Sequence, residues 1–425
     1  MDRVARAGGH AEGYRRQAER RRTESHQGAG LCETHGRPRL RGGRRHAGAD
    51  ARNDRRRGEA LVPGREGLRR QARVTLPVAP ITIYGAGAIG GIVDAHMAQA
   101  GEDLLFVDKV AEHVSAMNAR GLRITGSKEL TVPARACVPR DLRGPLGTVF
   151  LAVKSQDTQA ALDTIAPLAG PDTVVVSLQN GMNPPAIAAR LGAERVVGAF
   201  VSFPADWQGP GHIEQGGFGN IWIGEMDGRI SERLPRIQRL LAYSVKAHIT
   251  SNIVGYLWSK QVDCSLLFAQ AVGDQTFADT FSNARYQPLL VALVGEGVGA
   301  ALAAGVKLEG FGAFEPLKMR PRTPAEEAEA RAVLDRFADS TRSQVKVRSG
   351  PWRDLAVRKR PTEVDHMVGW VIDEGRRRRI ALPLNEELVN QVKELEQGRR
   401  SRGPHNLDEL EALRAKLYPS SMGPH

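Results

Sequence analysis

The sequence predicts an α/β protein in which a doubly wound parallel sheet is followed by an all-helical C-terminal domain. Three observations predict it: a strand, glycine loop and helix over 81–99, apolar runs alternating with helical segments to about residue 250, and purely helical periodicity beyond that point. The length of 425 residues suits two or three domains. The expected boundaries are a tail over 1–78, an α/β domain over 79–250 and a helical domain over 251–418.

The most informative stretch is ITIYGAGAIGG, residues 81–91, where G-x-G-x-x-G lies between a predicted strand and a predicted helix. Gly85 would permit the tight turn, Gly87 would let the backbone approach a pyrophosphate, and Gly90 would let helix and strand pack closely. The helix N-terminus supplies free N–H groups for the phosphates. An ordinary glycine turn is the alternative. The pattern predicts a Rossmann-type fold with a dinucleotide bound by this loop, at Gly85, Ala86, Gly87, Ala88, Ile89 and Gly90.

Strand and helix patterns alternate after this loop. Further strands are predicted at 104–107, 148–153, 173–177 and 195–202, and helices at 111–118, 157–168 and 185–191. The strands are continuous apolar runs, which is typical of a parallel sheet covered by helices on both faces. The glycine-rich residues 212–224 are expected to form a hairpin at the edge of the sheet.

Asp108 closes the second predicted strand, 18 residues after Gly90. An acidic residue at this place accepts hydrogen bonds from the adenosine ribose and repels a 2′-phosphate, which favours NAD over NADP. Lys109 beside it could soften that repulsion. The alternative is a helix cap or a solvated loop acid.

Two more loops leave the carboxyl ends of predicted strands, where open α/β sheets bind their ligands. Lys154 follows one strand directly and could meet cofactor or substrate anions. Asn180, in the sequence Gln-Asn-Gly, follows the next strand and could donate to a ribose or a carbonyl. Each could instead be a simple turn residue.

Helical periodicity beyond the first domain covers 256–271, 283–304, 324–342, 363–375, 384–398 and 407–417. Residues 289–306 are the most apolar but include Glu296, and the chain has no run of 18 apolar residues. A buried core helix is therefore predicted here, and no membrane partner. A homodimer through this helix is a further option.

The first 73 residues differ in composition from the rest of the chain. They carry 20 Arg, no Lys and 9 acidic residues, whereas residues 74–425 have a net charge of only +1. Without apolar periodicity this tail is expected to be disordered. A nucleic-acid arm is one interpretation, but the aromatic residues that stack on bases are missing. The preferred interpretation is that the tail is a start-site artefact and that no nucleic acid is bound.

Cys32, Cys137 and Cys264 are odd in number and lack Cys-x-x-Cys spacing. They favour a reducing cytoplasm over a disulfide framework, and no metal site is predicted.

Five pieces in order make the chain from about residue 81 to 418 resemble the ketopantoate reductases. They are YGAGAIGG at 84–91, the strand-end Lys154, SLQNGM at 177–182, LWSK at 257–260 and PTEVDHMVG at 361–369. The resemblance implies that Lys260 is the general acid and that Glu363 contacts substrate and cofactor ribose in the cleft. It also implies that Asn180 lies near the nicotinamide and that Lys154 lines the cofactor groove.

The chain also departs from this family. The resemblance implies substrate-holding asparagines four and eight residues after the lysine, and here these positions are Cys264 and Phe268. Ser349 matches the expected substrate-binding serine only if one residue is inserted. A pocket lined by Phe268 and Leu267 would suit a less polar 2-keto acid. The family also implies NADPH, in conflict with Asp108.

By chemistry alone, Lys260 could be a surface cation and Glu363 a first-turn residue favoured by the helix dipole. Ketone reduction needs a proton donor at the carbonyl oxygen, which a lysine oriented by a carboxylate supplies. The favoured function is NAD(P)H-dependent reduction of a 2-keto acid, 2-dehydropantoate to (R)-pantoate in pantothenate biosynthesis. The alternatives are a reductase of another, less polar 2-oxo acid and a non-catalytic dinucleotide-binding regulator.

Overall fold

The computed structural model describes residues 80–342 and 346–419, so the predictions for the tail over 1–78 lie outside the described residues. The described residues belong to one compact unit. An eight-stranded sheet has the order β12-β11-β8-β7-β6-β1-β2-β5. Its strands are β1 (Ile81–Tyr84), β2 (Leu104–Val107), β5 (Ala136–Cys137), β6 (Leu146–Leu151), β7 (Ala169–Ser177), β8 (Val196–Val201), β11 (Asn220–Glu225) and β12 (Lys246–Ile249).

The register of this sheet places the predicted ligand loops side by side. All neighbouring strands are parallel except β8 and β11. Tyr84, at the end of β1, lies opposite Val107 on one side and Leu151 on the other. Parallel strands that end in register open their loops at one edge, so the glycine loop, Asp108 and Lys154 all emerge there.

A second sheet of four strands, in the order β4-β3-β10-β9, lies outside the predicted pattern. It contains β3 (Leu122–Gly126), β4 (Leu130–Val132), β9 (Ala205–Gly209) and β10 (His212–Gln215). The predicted hairpin over 212–224 is therefore wrong. β10 pairs in this small sheet, whereas β11 pairs with β8 and β12 in the large one. Glycines at 216, 217 and 219 connect two sheets instead of turning a hairpin.

Helices cover the sheets of the first domain. They are α1 (Ala88–Gln99), α2 (Ala111–Arg120), α3 (Thr158–Ile165), α4 (Pro184–Leu191) and α5 (Leu234–Ala242). Buried aliphatic residues on both faces of the large sheet pack against them in two clusters. This arrangement is the predicted doubly wound layer structure.

The second half is helical. Its helices are α6 (Ile253–Gly273), α7 (Phe277–Phe281), α8 (Gln287–Ala303), α9 (Pro324–Arg342), α10 (Gly350–Arg353), α11 (Val368–Arg377), α12 (Pro383–Glu396) and α13 (Pro404–Leu417). Asn252 begins α6, because its side chain accepts a hydrogen bond from the Gly255 N–H at 3.1 Å.

Helix α8 is the centre of the helical core. Its apolar residues from Leu289 to Ala301 are buried by α6, α9, α11 and α12 of the same chain. The apolar residues up to Ala301, through which a homodimer was a further option, are therefore buried within the protomer. Burial raises the pKa of Glu296, whose carboxylate accepts from the backbone N–H groups of Leu384 and Asn385, both at 3.0 Å. A single acid in an apolar helix thus holds the start of α12. Among the described residues, no helix is long and apolar enough to cross a membrane.

Candidate active site

The glycine loop has the geometry that a dinucleotide requires. Gly85 has a φ of +101° and its N–H donates to the Val107 carbonyl at 2.8 Å. A side chain at Gly90 would lie 2.1 Å from the Gly85 oxygen, whereas a Cβ at Gly87 would meet nothing within 4 Å. The tight turn, the close packing and the open approach expected of the three glycines are all present. No side chain caps α1, so its first N–H groups remain available to a phosphate.

The other loop residues differ in exposure. Ala86 is fully buried, and its carbonyl contacts His113 Nε2 at 2.8 Å. This contact stabilises the loop on the side that faces the protein interior. Ala88 and Ile89 are half-buried in the first turn of α1. A ligand on this loop would therefore contact the backbone of Gly87 and the first turn of the helix.

Asp108 lies at the end of β2, as expected. Its Oδ1 accepts from the Val110 N–H at 2.9 Å, which is the turn interaction that the alternative interpretation anticipated. Lys109 does not neutralise it, because the Lys109 ammonium donates to both oxygens of Asp157 at 2.7 and 2.8 Å. Asp108 is half-buried, and the residue before it joins the glycine loop, since the N–H groups of Gly85 and Ala86 both donate to the Val107 carbonyl.

Lys154 and Glu363 meet, although 209 positions separate them in the chain. The Lys154 ammonium lies 3.7 Å from Glu363 Oε2 and forms a short ion pair with Asp354. Glu363 Oε1 also accepts from the Ser155 N–H at 2.9 Å, and Glu363 is only 9% exposed. The loop after β6 therefore holds the T-E-x-D stretch of the helical domain against the sheet edge.

Asn180 lies in the neighbouring loop after β7. Its carbonyl accepts from Ser155 Oγ and from Asn183 Nδ2, both at 2.6 Å. Asn180 as a whole is exposed to solvent. The loop is thus fixed through its backbone while the amide side chain faces solvent.

Lys260 lies in the second turn of α6, and its ammonium is 5.8 Å from the centroid of the Phe200 ring. Phe200 is next to last in β8, so this contact brings α6 to the edge of the sheet that carries Asn180. Among the residues that the structure describes, no carboxylate lies within 4 Å of the ammonium. Burial raises the pKa of Asp263, one turn further along, to about 6, and Lys260 opposes that shift.

The predicted substrate residues Cys264, Phe268 and Ser349 require a correction. Cys264 and Phe268 are 0% exposed and belong to the helical core, so neither reaches an open surface. Ser349 is 2% exposed; its hydroxyl accepts from the Trp352 N–H at 3.1 Å and caps α10. All three residues are therefore buried inside the protein.

The thiol of Cys264 is nevertheless close enough to the charged groups of the site to be affected by them. Burial raises the pKa of its thiol, and Lys260, Asp263 and Glu363 act on it electrostatically. Gln261, next to Lys260, donates to the His366 carbonyl at 3.4 Å, which joins α6 to the segment that carries Glu363.

Sequence reasoning missed the cations that complete this site. Residues 346–360, here called the basic segment, contain six Lys or Arg and one acid. Arg353 and Arg358 both bind Asp206 of β9, and Arg358 and Arg360 also bind Asp354. The signal was present in the sequence, because the rest of the chain from residue 74 is nearly balanced in charge. No group of three or more potential metal ligands is found in the described ranges.

Comparison with known proteins agrees with this geometry. The family described as ketopantoate reductase PanE/ApbA matches residues 81–228, and its C-terminal counterpart matches residues 252–396. The chain belongs to the ketopantoate reductase family. A 2-dehydropantoate 2-reductase of Mesorhizobium japonicum is 32% identical over 264 residues, which cover 55% of this chain and 81% of that one. One of Archaeoglobus fulgidus is 28% identical, over 76% of this chain and 99% of that one.

Solved structures share the fold of this reductase. A ternary structure of D-mandelate dehydrogenase with NADH and anilino(oxo)acetate has a TM-score of 0.66 at 21% identity, over 75% of this chain and 99% of that one. A ketopantoate reductase from Ralstonia eutropha JMP134 has a TM-score of 0.63 at 24% identity, with the same coverage. The protein is therefore an oxidoreductase that acts on CH–OH groups and uses a nicotinamide dinucleotide.

Proposed function

We propose that the protein reduces 2-dehydropantoate to (R)-pantoate with a reduced nicotinamide dinucleotide. Family membership and relatives of that name support this activity. The observation that carries the proposal is the place of Lys260. It is a half-buried cation over Phe200 near the carboxyl end of β8, on a helix that Gln261 joins to the segment carrying Glu363.

Different residues of the chain carry out different parts of the proposed reaction. When bound, the reduced nicotinamide supplies a hydride to the keto carbon. The Lys260 ammonium donates its proton to the keto oxygen as negative charge develops there, and the neutral amine then takes up a proton from solvent. Glu363 and Asn180 hold the substrate and the ribose, and Lys154 keeps Glu363 in place through their 3.7 Å contact. The loop of Gly85, Gly87 and Gly90 binds the phosphates.

For the choice of nucleotide we propose NADH. A ribose bound at the end of β2 would meet the Asp108 carboxylate, and Lys109 is occupied by Asp157. A 2′-phosphate would then face a negative charge that Lys109 does not compensate.

A second candidate substrate is a 2-keto acid with a larger apolar side chain. Phe200, Ile253 and Leu257 form a small apolar cluster, with Met182 and Phe311 packed against it. Because Lys260 lies over Phe200, an apolar group of a substrate held at Lys260 would be close to this cluster. A panel containing 2-dehydropantoate, 2-ketoisovalerate and phenylglyoxylate, assayed by oxidation of the reduced nicotinamide, ranks the candidates.

Replacement of the proton donor tests the mechanism. Lys260→Ala should lower kcat about 10²- to 10⁴-fold, because a general acid contributes on that order, while nucleotide binding by the other domain stays unchanged. Steady-state kinetics and a fluorescence titration with NADH measure the two effects. Lys307→Ala is the matched control, since that lysine is 83% exposed. Retention of more than about a third of wild-type kcat in Lys260→Ala would refute the role of the lysine.

A further inference from the structure

Lys346 begins the basic segment and lies against the first domain. Its ammonium donates to the Ala205 carbonyl at 3.1 Å, at the start of β9. The next two residues of β9 bind other cations of the same segment: Asp206 binds Arg353 and Arg358, and the Trp207 carbonyl accepts from Arg358 at 3.2 Å. Lys346 is thus held at the boundary between the two domains.

The carboxylates of this region are already occupied by other cations. Asp206 is taken by two arginines, and Asp354 is shared by Lys154, Arg358 and Arg360. Lys346 forms no ion pair with any residue that the structure describes, and the Ala205 carbonyl is its one hydrogen-bond acceptor there. An ammonium has three donors, so two of them remain uncommitted.

The surroundings of Lys346 are strongly positive. Burial lowers its pKa to about 8; Asp206 opposes this shift, whereas Arg353, Arg358 and Lys260 add to it. Four cations therefore share a region in which Asp206 is the carboxylate that acts on Lys346. A partly buried cation that forms no ion pair of its own is unfavourable, and such positions are typical of sites that receive an anionic ligand.

These cations also take the place of the polar substrate anchors that the family resemblance implied. Cys264 and Phe268, where the resemblance implied polar substrate anchors, are buried and cannot bind a carboxylate, and the Ser349 hydroxyl is used to cap α10. A 2-keto acid presents its carboxylate directly next to the keto group. Lys260 lies over Phe200 and Lys346 donates to Ala205 five residues further on, so both ammonium groups lie against the stretch of chain that leaves β8. Lys346 is therefore suitably placed to bind that carboxylate.

We propose, on the basis of the proposed function, that Lys346 binds the carboxylate of the 2-keto acid while Lys260 faces its keto oxygen. Lys346 is then the residue that selects acids over neutral ketones. The substrate carboxylate accepts hydrogen bonds from the two N–H groups of the ammonium that have no acceptor among the described residues. Its negative charge pairs with the positive charge of Lys346. No bond is made or broken at Lys346.

The experiment compares each 2-keto acid with its methyl ester, which keeps the keto group and removes the charge. In Lys346→Met, KM for the acid should rise about tenfold or more, because a hydrogen bond to a charged group is lost, while KM for the ester stays unchanged. Lys346→Arg keeps the cation and should retain most of the preference for the acid. Lys359→Met removes an exposed charge from the same segment and is the control.

The outcomes separate this inference from the proposed function. If the wild-type enzyme reduces no 2-keto acid with either nucleotide, the proposed function fails. If it reduces acids but Lys346→Met keeps the wild-type acid-to-ester ratio of kcat/KM, the assignment of Lys346 is refuted. An equal loss for acid and ester together with weaker NADH binding would show a structural role and also refute it. Thermal unfolding confirms that each variant is folded.

Discussion

Asp108 lies directly after β2, where the proposed function places the nucleotide ribose. Its Oδ1 accepts from the Val110 N–H, which orients the carboxylate. The neighbouring Lys109 pairs with Asp157, so its ammonium is occupied. The sequence predicted the acid and its position but left the partner of Lys109 open, because Asp157 lies 48 residues away.

A substitution at this residue tests the nucleotide preference. The wild type should use NADH at least as efficiently as NADPH, and Asp108→Ser should shift the preference toward NADPH, since the repulsion and the ribose hydrogen bonds both disappear. The ratio of kcat/KM for the two nucleotides measures the shift. Glu112→Ser, an exposed acid of α2, should leave the ratio unchanged. A wild-type preference for NADPH of about tenfold would contradict the prediction.

Lys346 predicts a distinctive pH dependence. Burial lowers its pKa to about 8, with Asp206 opposing and Arg353, Arg358 and Lys260 reinforcing the shift. The ammonium is therefore charged below about pH 8 and loses its proton above it, so KM for a 2-keto acid should rise as the pH increases through that value. KM for the methyl ester should stay flat over the same range. Parallel profiles for acid and ester would contradict this assignment.

At the scale of elements, the contact between the basic segment and β9 organises the cleft. The segment reaches across from the helical domain, and its arginines enclose Asp206, which is only 5% exposed. This contact depends on a strand that the sequence did not predict. β9 is short, carries no apolar alternation, and belongs to a sheet whose central pair, β3 and β10, joins residues about 90 positions apart.

Removal of this carboxylate should destabilise the protein. Asp206→Asn leaves the partly buried Arg353 guanidinium without a counter-charge and Arg358 with Asp354 alone, which should lower the free energy of unfolding by about 2 kcal/mol. Urea denaturation of the full chain measures the loss. Asp227→Asn is the control, because Asp227 and Arg229 form an ion pair with both side chains about 60% exposed, and such pairs contribute little. Equal stability of the two variants would show that the contact with β9 is dispensable.

At the scale of the whole molecule, the cofactor half of the site was more predictable than the substrate half. Gly85, Gly87, Gly90 and Asp108 lie within 24 residues, and the strand-loop-helix pattern alone implies how they meet. The substrate half depends on contacts between distant residues, such as Glu363 with Ser155 and Arg353 with Asp206. No local pattern encodes these contacts. The sequence therefore did not reveal that Cys264 and Phe268, predicted to bind substrate, are buried in the helical core.

Charge is also distributed unevenly over the molecule. Residues 74–425 carry a net charge of only +1, yet the cleft gathers cations from the sheet edge and the basic segment around three carboxylates. A balanced body with a positive cleft attracts anions to one place on its surface. Both the dinucleotide and a 2-keto acid are anions. The catalytic function accounts for this arrangement, and for Lys260, more fully than a regulator that only binds a dinucleotide.

The pairing of Asp206 with Arg353 also bears on the timing of events during synthesis of the chain. The two residues are 147 positions apart in the chain, and a ribosome adds about 5–20 residues per second. The strand that carries Asp206 is therefore synthesised on the order of 10 seconds before its partner exists. During that interval the carboxylate is hydrated and the first domain, with its glycine loop complete, is without its closing segment. Nascent chains can thus meet the dinucleotide before they have a substrate site.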